Sequence, residues 1–132
     1  MNKLQKKIFK DKYHISEVEF KKEELIFKSV DEIINELKLK IDAHPIIAFI
    51  AIFDHYTHTL SLKMGKIDPK IKNAKNIIFC FGKEIPSPEV LAVRPRSIGV
   101  CELEDSYIIN YLQAPNKNVN NTIEDFIKSL NK

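Results

Sequence analysis

Ile98-Gly99-Val100-Cys101-Glu102-Leu103 and Tyr107-Ile108-Ile109-Asn110-Tyr111-Leu112 flank the polar link Glu104-Asp105-Ser106. β-Branched and aromatic residues on both sides of a short polar stretch read as two antiparallel strands and their turn. Upstream, Asn76-Ile77-Ile78-Phe79-Cys80-Phe81 is a buried strand stopped by Gly82. The run Ile46 to Phe53 is apolar on both parities, which predicts a strand that is central or covered on both faces. It leads into Asp54-His55-Tyr56-Thr57-His58, after which Leu60, Leu62 and Met64 alternate with Thr59, Ser61 and Lys63, the pattern of another strand. Residues 65–75 carry Gly65, Pro69 and Asn73 and read as a loop. Near the start, Val18 and Phe20 alternate with Glu17 and Glu19, a half-exposed strand over 13–20, with Leu25-Ile26-Phe27 as the second arm of a hairpin.

Helical periodicity is clearest over 29–42. Ser29 and Glu32 form a capping box, and Val30, Ile33, Ile34, Leu37 and Ile41 make one apolar stripe. Pro45 ends it. Ser87-Pro88-Glu89 starts a short helix. A last helix has Asn121 and Glu124 at capping spacing and Ile123, Phe126, Ile127 and Leu130 as its stripe. A helix with a single stripe covers a sheet rather than being buried all round. The chain is therefore expected to be α+β, a two-layer sandwich of a mainly antiparallel sheet with helices packed on one face.

With 132 residues, 44% of them hydrophobic, residues 1–132 suit a single well-cored domain. The net charge of +3 is uneven: residues 1–12 carry +4 and the rest −1. A basic tail over 1–12, flexible or helical, is expected, on a balanced body that argues against a nucleic-acid partner. The longest apolar run, Pro45 to Phe53, is far short of the ~20 residues that span a bilayer. No apolar segment follows the N-terminal charge, so no signal peptide and no membrane are expected. The chain reads as cytoplasmic, with Cys80 and Cys101 as reduced thiols.

The order of elements from residue 29 to about residue 130 resembles a bacterial family known as domain of unknown function number 302. The resemblance rests on Asp54-His55, Phe81-Gly82, Pro95, Glu104-Asp105, Tyr111 and Pro115. It departs at Gly82-Lys83-Glu84, where that family often reads Gly-Asn-Pro, and at Arg94-Pro95-Arg96, where Leu-Pro is usual. The resemblance implies a small α+β fold, commonly a dimer, and supplies no catalytic residues.

Two places invite function. Asp54 to His58 is the densest polar cluster and follows a buried strand, where ligands often sit. His55 and His58 diverge if the strand continues and converge if the chain turns. No third ligand is selected by spacing, so no metal is assigned. The only two arginines among 21 cations, Arg94 and Arg96, flank Pro95. Arg grips carboxylate or phosphate through a planar fork, which suggests an anion site, against the alternative of a structural ion pair. The expected ligand-binding set is His55, Tyr56, His58, Arg94, Arg96 and Tyr111, for a small anionic or polar ligand, in a homodimer. Two alternatives stand beside it. One is a small enzyme with His55 or His58 as general base and an Arg clamp. The other is an oligomeric scaffold or regulatory protein without small-molecule chemistry. The residues leave the cofactor open.

Overall fold

The structure, a computed structural model, describes residues 3–131. Among these residues, six strands form one sheet: β1 (Gln5–Phe9), β2 (Tyr13–Lys21), β3 (Ala48–Asp54), β4 (Asn73–Cys80), β5 (Arg96–Glu102) and β6 (Ser106–Leu112). Their order is β1-β2-β6-β5-β4-β3, and every neighbouring pair is antiparallel. Three helices accompany them: α1 (Val30–Ala43), the short α2 (His55–Ser61) and α3 (Lys117–Lys128). The expected α+β class is what the chain adopts.

α1 starts where the capping pattern places it. Ser29 Oγ accepts from Glu32 N at 3.1 Å, and the Glu32 carboxylate accepts in return from Lys28 N at 2.9 Å. Its stripe, Val30, Ile33, Ile34, Leu37 and Ile41, is fully sequestered, as are Ile123 and Ile127 of α3. Both helices cover the face of the sheet that carries Ile77, Phe79, Ile98, Val100, Tyr107 and Ile109. Burying each of these side chains contributes about 1.5–3 kcal/mol relative to exposure. The opposite face, which we call the open face, carries the alternate residues of the same strands: Asn76, Ile78, Gly99, Cys101, Ile108 and Asn110. They are only partly covered.

Several local expectations are revised. Gln5–Phe9 is a strand of the sheet, not a helical or flexible tail, because it pairs antiparallel with Tyr13–Glu17. Lys10 and Asp11 make the connection with φ of 52° and 60°, the left-handed region. Residues 25–27 are therefore not the hairpin arm of β2, whose neighbours are β1 and β6; Leu25 instead plugs the core. The apolar run of β3 is at the sheet edge rather than its centre, and Ile50 and Ile52 are 50% and 42% exposed. Finally, Leu60, Leu62 and Met64 do not alternate along a strand. Asp54 caps a helix at that point, and all three side chains are exposed.

At the C-terminus the cap of α3 is Asn116 rather than Asn121, accepting from Asn118 N at 2.8 Å. The short segment Pro88–Val93 is a 3-10 helix after Ser87. No helix among the described residues is long and apolar enough to cross a membrane.

Candidate functional site

The site begins where β3 ends. Asp54 Oδ1 accepts from Thr57 N and Oδ2 from Thr57 Oγ1, both at 2.9 Å, which turns the chain into α2. These bonds, the backbone N–H of Thr57 foremost, hold the Asp54 carboxyl below its ordinary range, with the Lys75 charge assisting against burial. The turn sets the direction of the two histidines. His55 and His58 both pack on Phe53, with ring centroids at 4.6 and 5.4 Å. They share one side of the sheet edge.

Phe53 begins a row that crosses the whole sheet. Phe53 opposes Asn76, Asn76 opposes Gly99, Gly99 opposes Asn110, Asn110 opposes Glu17 and Glu17 opposes Gln5. Directly opposed residues share a face, so these side chains line up on the open one. His55 Nε2 meets Asn76 Oδ1 at 3.0 Å, and Asn76 Nδ2 donates to Ser97 Oγ at 2.9 Å. Further along, Asn110 Nδ2 donates to Glu17 Oε2 at 3.1 Å and Lys7 Nζ to Glu17 Oε1 at 2.6 Å. Burial alone would raise the Glu17 carboxyl. The bonds from Lys7 and Asn110 outweigh it, and the group sits below its ordinary range. Gly99 lies between the two asparagines, where a Cβ would meet Asn110 Oδ1 at 2.9 Å and Asn76 Oδ1 at 3.2 Å.

Beside His55 is a hollow of about 200 Å³. Its walls are His55, Tyr56 and Thr59 of α2, the loop residues Lys66, Ile67, Asp68 and Ile71, and Ala74 of β4. The contact with Asn76 Oδ1 uses Nε2 and leaves Nδ1 open toward a ligand, as an acceptor in the neutral ring and as a donor in the charged one. Two larger hollows lie along β1 and β2. One, of about 530 Å³, is walled by Lys and Glu side chains; the other, of about 480 Å³, has Leu4, Val18, Phe20 and Ile127 as its apolar floor. Neither contains a residue expected in the site.

The structure separates the expected set. His55 and Tyr56 line the hollow, and His58 stands next to them on Phe53. Arg96 and Tyr111 are on the other side of the sheet: Arg96 opposes the buried Phe79, and Tyr111 is 3% exposed with its hydroxyl donating to Asn120 O at 3.3 Å. Arg96 is 9% exposed and has no carboxylate partner among the described residues. It donates to Val93 O at 3.0 Å and, through its other terminal nitrogen, to Leu112 O, while its Nε is unpaired. Burial pulls its guanidinium below the ordinary value, Tyr111 opposing. Arg94 turns away and donates to Glu84 O at 2.7 Å. The two arginines therefore fasten backbone carbonyls and do not converge on an anion beside the histidines. No group of three or more His, Cys, Asp or Glu able to hold a metal occurs among the described residues.

A family model matches residues 4–132. The chain belongs to the family of unknown function DUF6858. The match is to this family and not to family 302, which the order of motifs resembles. Neither a curated protein nor a solved structure matches this member of DUF6858.

Asn76, Ser97, Gly99, Asn110 and Glu17 are absent from the site expected of the sequence. A signal for them exists. Asn76 and Asn110 are single amides set in otherwise apolar strands, and Gly99 is a glycine in a strand interior, which often marks close approach of another group. Only the strand register shows that they stand in one row.

Proposed function

We propose that this DUF6858 member is a cytoplasmic module that binds a small polar or anionic ligand and works as a homodimer. The observation that carries the binding half is the bond from His55 through Asn76 to Ser97 beside the α2 hollow. A histidine anchored at one nitrogen has its ring orientation fixed and presents the other nitrogen to a ligand. Lys66, on the wall of the same hollow and with no ion pair among the described residues, supplies one positive charge beside the Asp68 carboxylate of that wall. At about 200 Å³ the hollow is below the ~300–1,000 Å³ of sites that enclose drug-sized ligands, so its ligand is small. Neither arginine reaches the histidines, so the enzyme alternative lacks its clamp and a ligand in the hollow is held without either arginine. The homodimer half is supported by the apolar, unpaired edge of β3. Cytoplasmic placement agrees with two unbridged cysteines.

The test is thermal melting and native mass spectrometry of the full chain against inorganic phosphate, sulfate and short mono- and dicarboxylates. Saturating binding is expected to raise Tm by a few degrees, on the order of 2–3 kcal/mol at a hundredfold excess over Kd. His55→Ala and Asn76→Ala abolish the shift, whereas Arg94→Ala keeps it. A clean apo mass and a flat melting response across the panel would overturn the binding half.

A further inference from the structure

The two edges of the sheet are built differently. β1 is five residues long, and its sequence Gln5-Lys6-Lys7-Ile8-Phe9 places Lys7 at the midpoint. Lysines on a short edge strand are a usual guard against pairing with another chain. Pairing β1 with its own copy would set Lys7 against Lys7. β3 has no such guard. It is seven residues long, and the only charge in it is Asp54 at the very end. Its Ile50 and Phe53 are exposed, as is Ile46 just before it. The bulge between Phe49 and Ala51, which in other edges blunts pairing, here brings an isoleucine to the rim.

We propose, on the homodimer reading above, that β3 pairs antiparallel with β3 of a second copy about a two-fold axis perpendicular to the sheet, joining two six-stranded sheets into one. A strand paired antiparallel with itself repeats each contact by symmetry, and the result is closed rather than open-ended. The charges agree. The two Asp54 residues lie at opposite ends of the seam, about 20 Å apart for a seven-residue strand. Above the edge, Lys38 of α1 stands over the Phe49 ring at 4.6 Å and pairs with Asp42 at 2.8 Å, so the flank that meets its copy carries one charge of each sign. The edge offers a seam of ~23 Å with the apolar side chains of Ile50, Ile52 and Phe53 along it. The axis leaves α1 and α3 of both copies on one face and the two His55 hollows on the other. Each hollow is then one strand away from the seam, because α2 follows β3 directly and packs on Phe53.

Sedimentation equilibrium of the full chain decides between the edges, with hydrogen exchange read at the β3 amides. The wild type is expected to be a dimer with slowly exchanging outer amides in β3. Ile50→Lys raises the dimer Kd at least 100-fold and speeds exchange there at least tenfold. Ile8→Lys, on the β1 edge, leaves both unchanged. A dimer that survives Ile50→Lys overturns the β3 seam and leaves the homodimer reading intact. A wild type that is monomeric at all concentrations overturns both, and open-ended oligomers overturn the closed pairing. If Ile50→Lys does not fold, dilution of the wild type through dissociation gives the answer. Faster β3 exchange on dilution supports the seam, and unchanged exchange removes it.

Discussion

Asn76 and Asn110 reach toward each other across Gly99, their Oδ1 atoms 3.2 and 2.9 Å from where a methyl group on that residue would stand. The glycine is what allows two amides to share one row of the open face. Gly99→Ala is expected to push the Asn110 amide aside and break its bond to Glu17, costing about 1 kcal/mol by urea unfolding. In an Asn110→Ala background the same change should cost less by at least ~0.5 kcal/mol, since the side chain that clashes is gone. Equal costs in both backgrounds would mean that the amide is not what Gly99 accommodates.

Arg96 is a fastener and not a ligand group. Arg96→Met removes the donors to Val93 O and Leu112 O but keeps most of the side-chain volume. Taking the donor from these two carbonyls should cost about 2 kcal/mol, offset in part because a buried charge is also removed. The response to phosphate or carboxylates should persist. Loss of that response in a variant that still folds would return Arg96 to the site.

Stability should fall off at both ends of the pH scale. Glu17 and Asp54 are held below the ordinary carboxylate range in the folded chain. Each adds stability in full above its unfolded value, and that contribution is lost as the pH falls through the lowered folded value. Burial raises Tyr107 and Tyr111 above the usual tyrosine range. Their contribution is in full below the unfolded value near ~10 and is lost as the pH rises beyond it. Melting temperature against pH should therefore show a neutral plateau, and Glu17→Gln should flatten its acid flank. An unchanged acid flank in that variant would contradict the role given to the Lys7–Glu17–Asn110 bonds.

The turn between β1 and β2 stores a local cost. Lys10 and Asp11 both have positive φ, which disfavours residues with a Cβ by roughly 1–2 kcal/mol each. The double change Lys10→Asn with Asp11→Gly puts an Asn-Gly pair at these two positions, the residues that tolerate positive φ best. It should stabilise the chain by about 1 kcal/mol in urea and slow amide exchange in β1. A neutral or destabilising result would argue against this turn geometry.

Much of the fold is legible in the residues because local signals and packing agree. The Ser29 cap, the α1 stripe and the β5–β6 hairpin each carry a pattern that burial then reinforces. β1 is hidden because lysines at alternate and adjacent positions look like a solvated tail; only its pairing with β2 makes it a strand. The position of β3 is misleading for the opposite reason. An all-apolar strand predicts cover on both faces, and here the single chain covers each face only in part. In the candidate site, His55 and Tyr56 follow from their place after a strand. The arginines mislead because rarity in a lysine-rich chain does not distinguish a ligand clamp from a backbone fastener. Asn76, Gly99 and Asn110 come together through pairing between strands far apart in sequence, which no local window contains.

The most direct test of the binding site is a two-dimensional amide NMR titration of the ¹⁵N-labelled full chain with inorganic phosphate and short carboxylates. Binding at the α2 hollow predicts shifts that saturate and are confined to residues 54–59, 66–76 and Ser97, and that vanish in His55→Ala. No saturable shift, or shifts confined to the groove between β2 and α3 around Phe20 and Ile127, would contradict it.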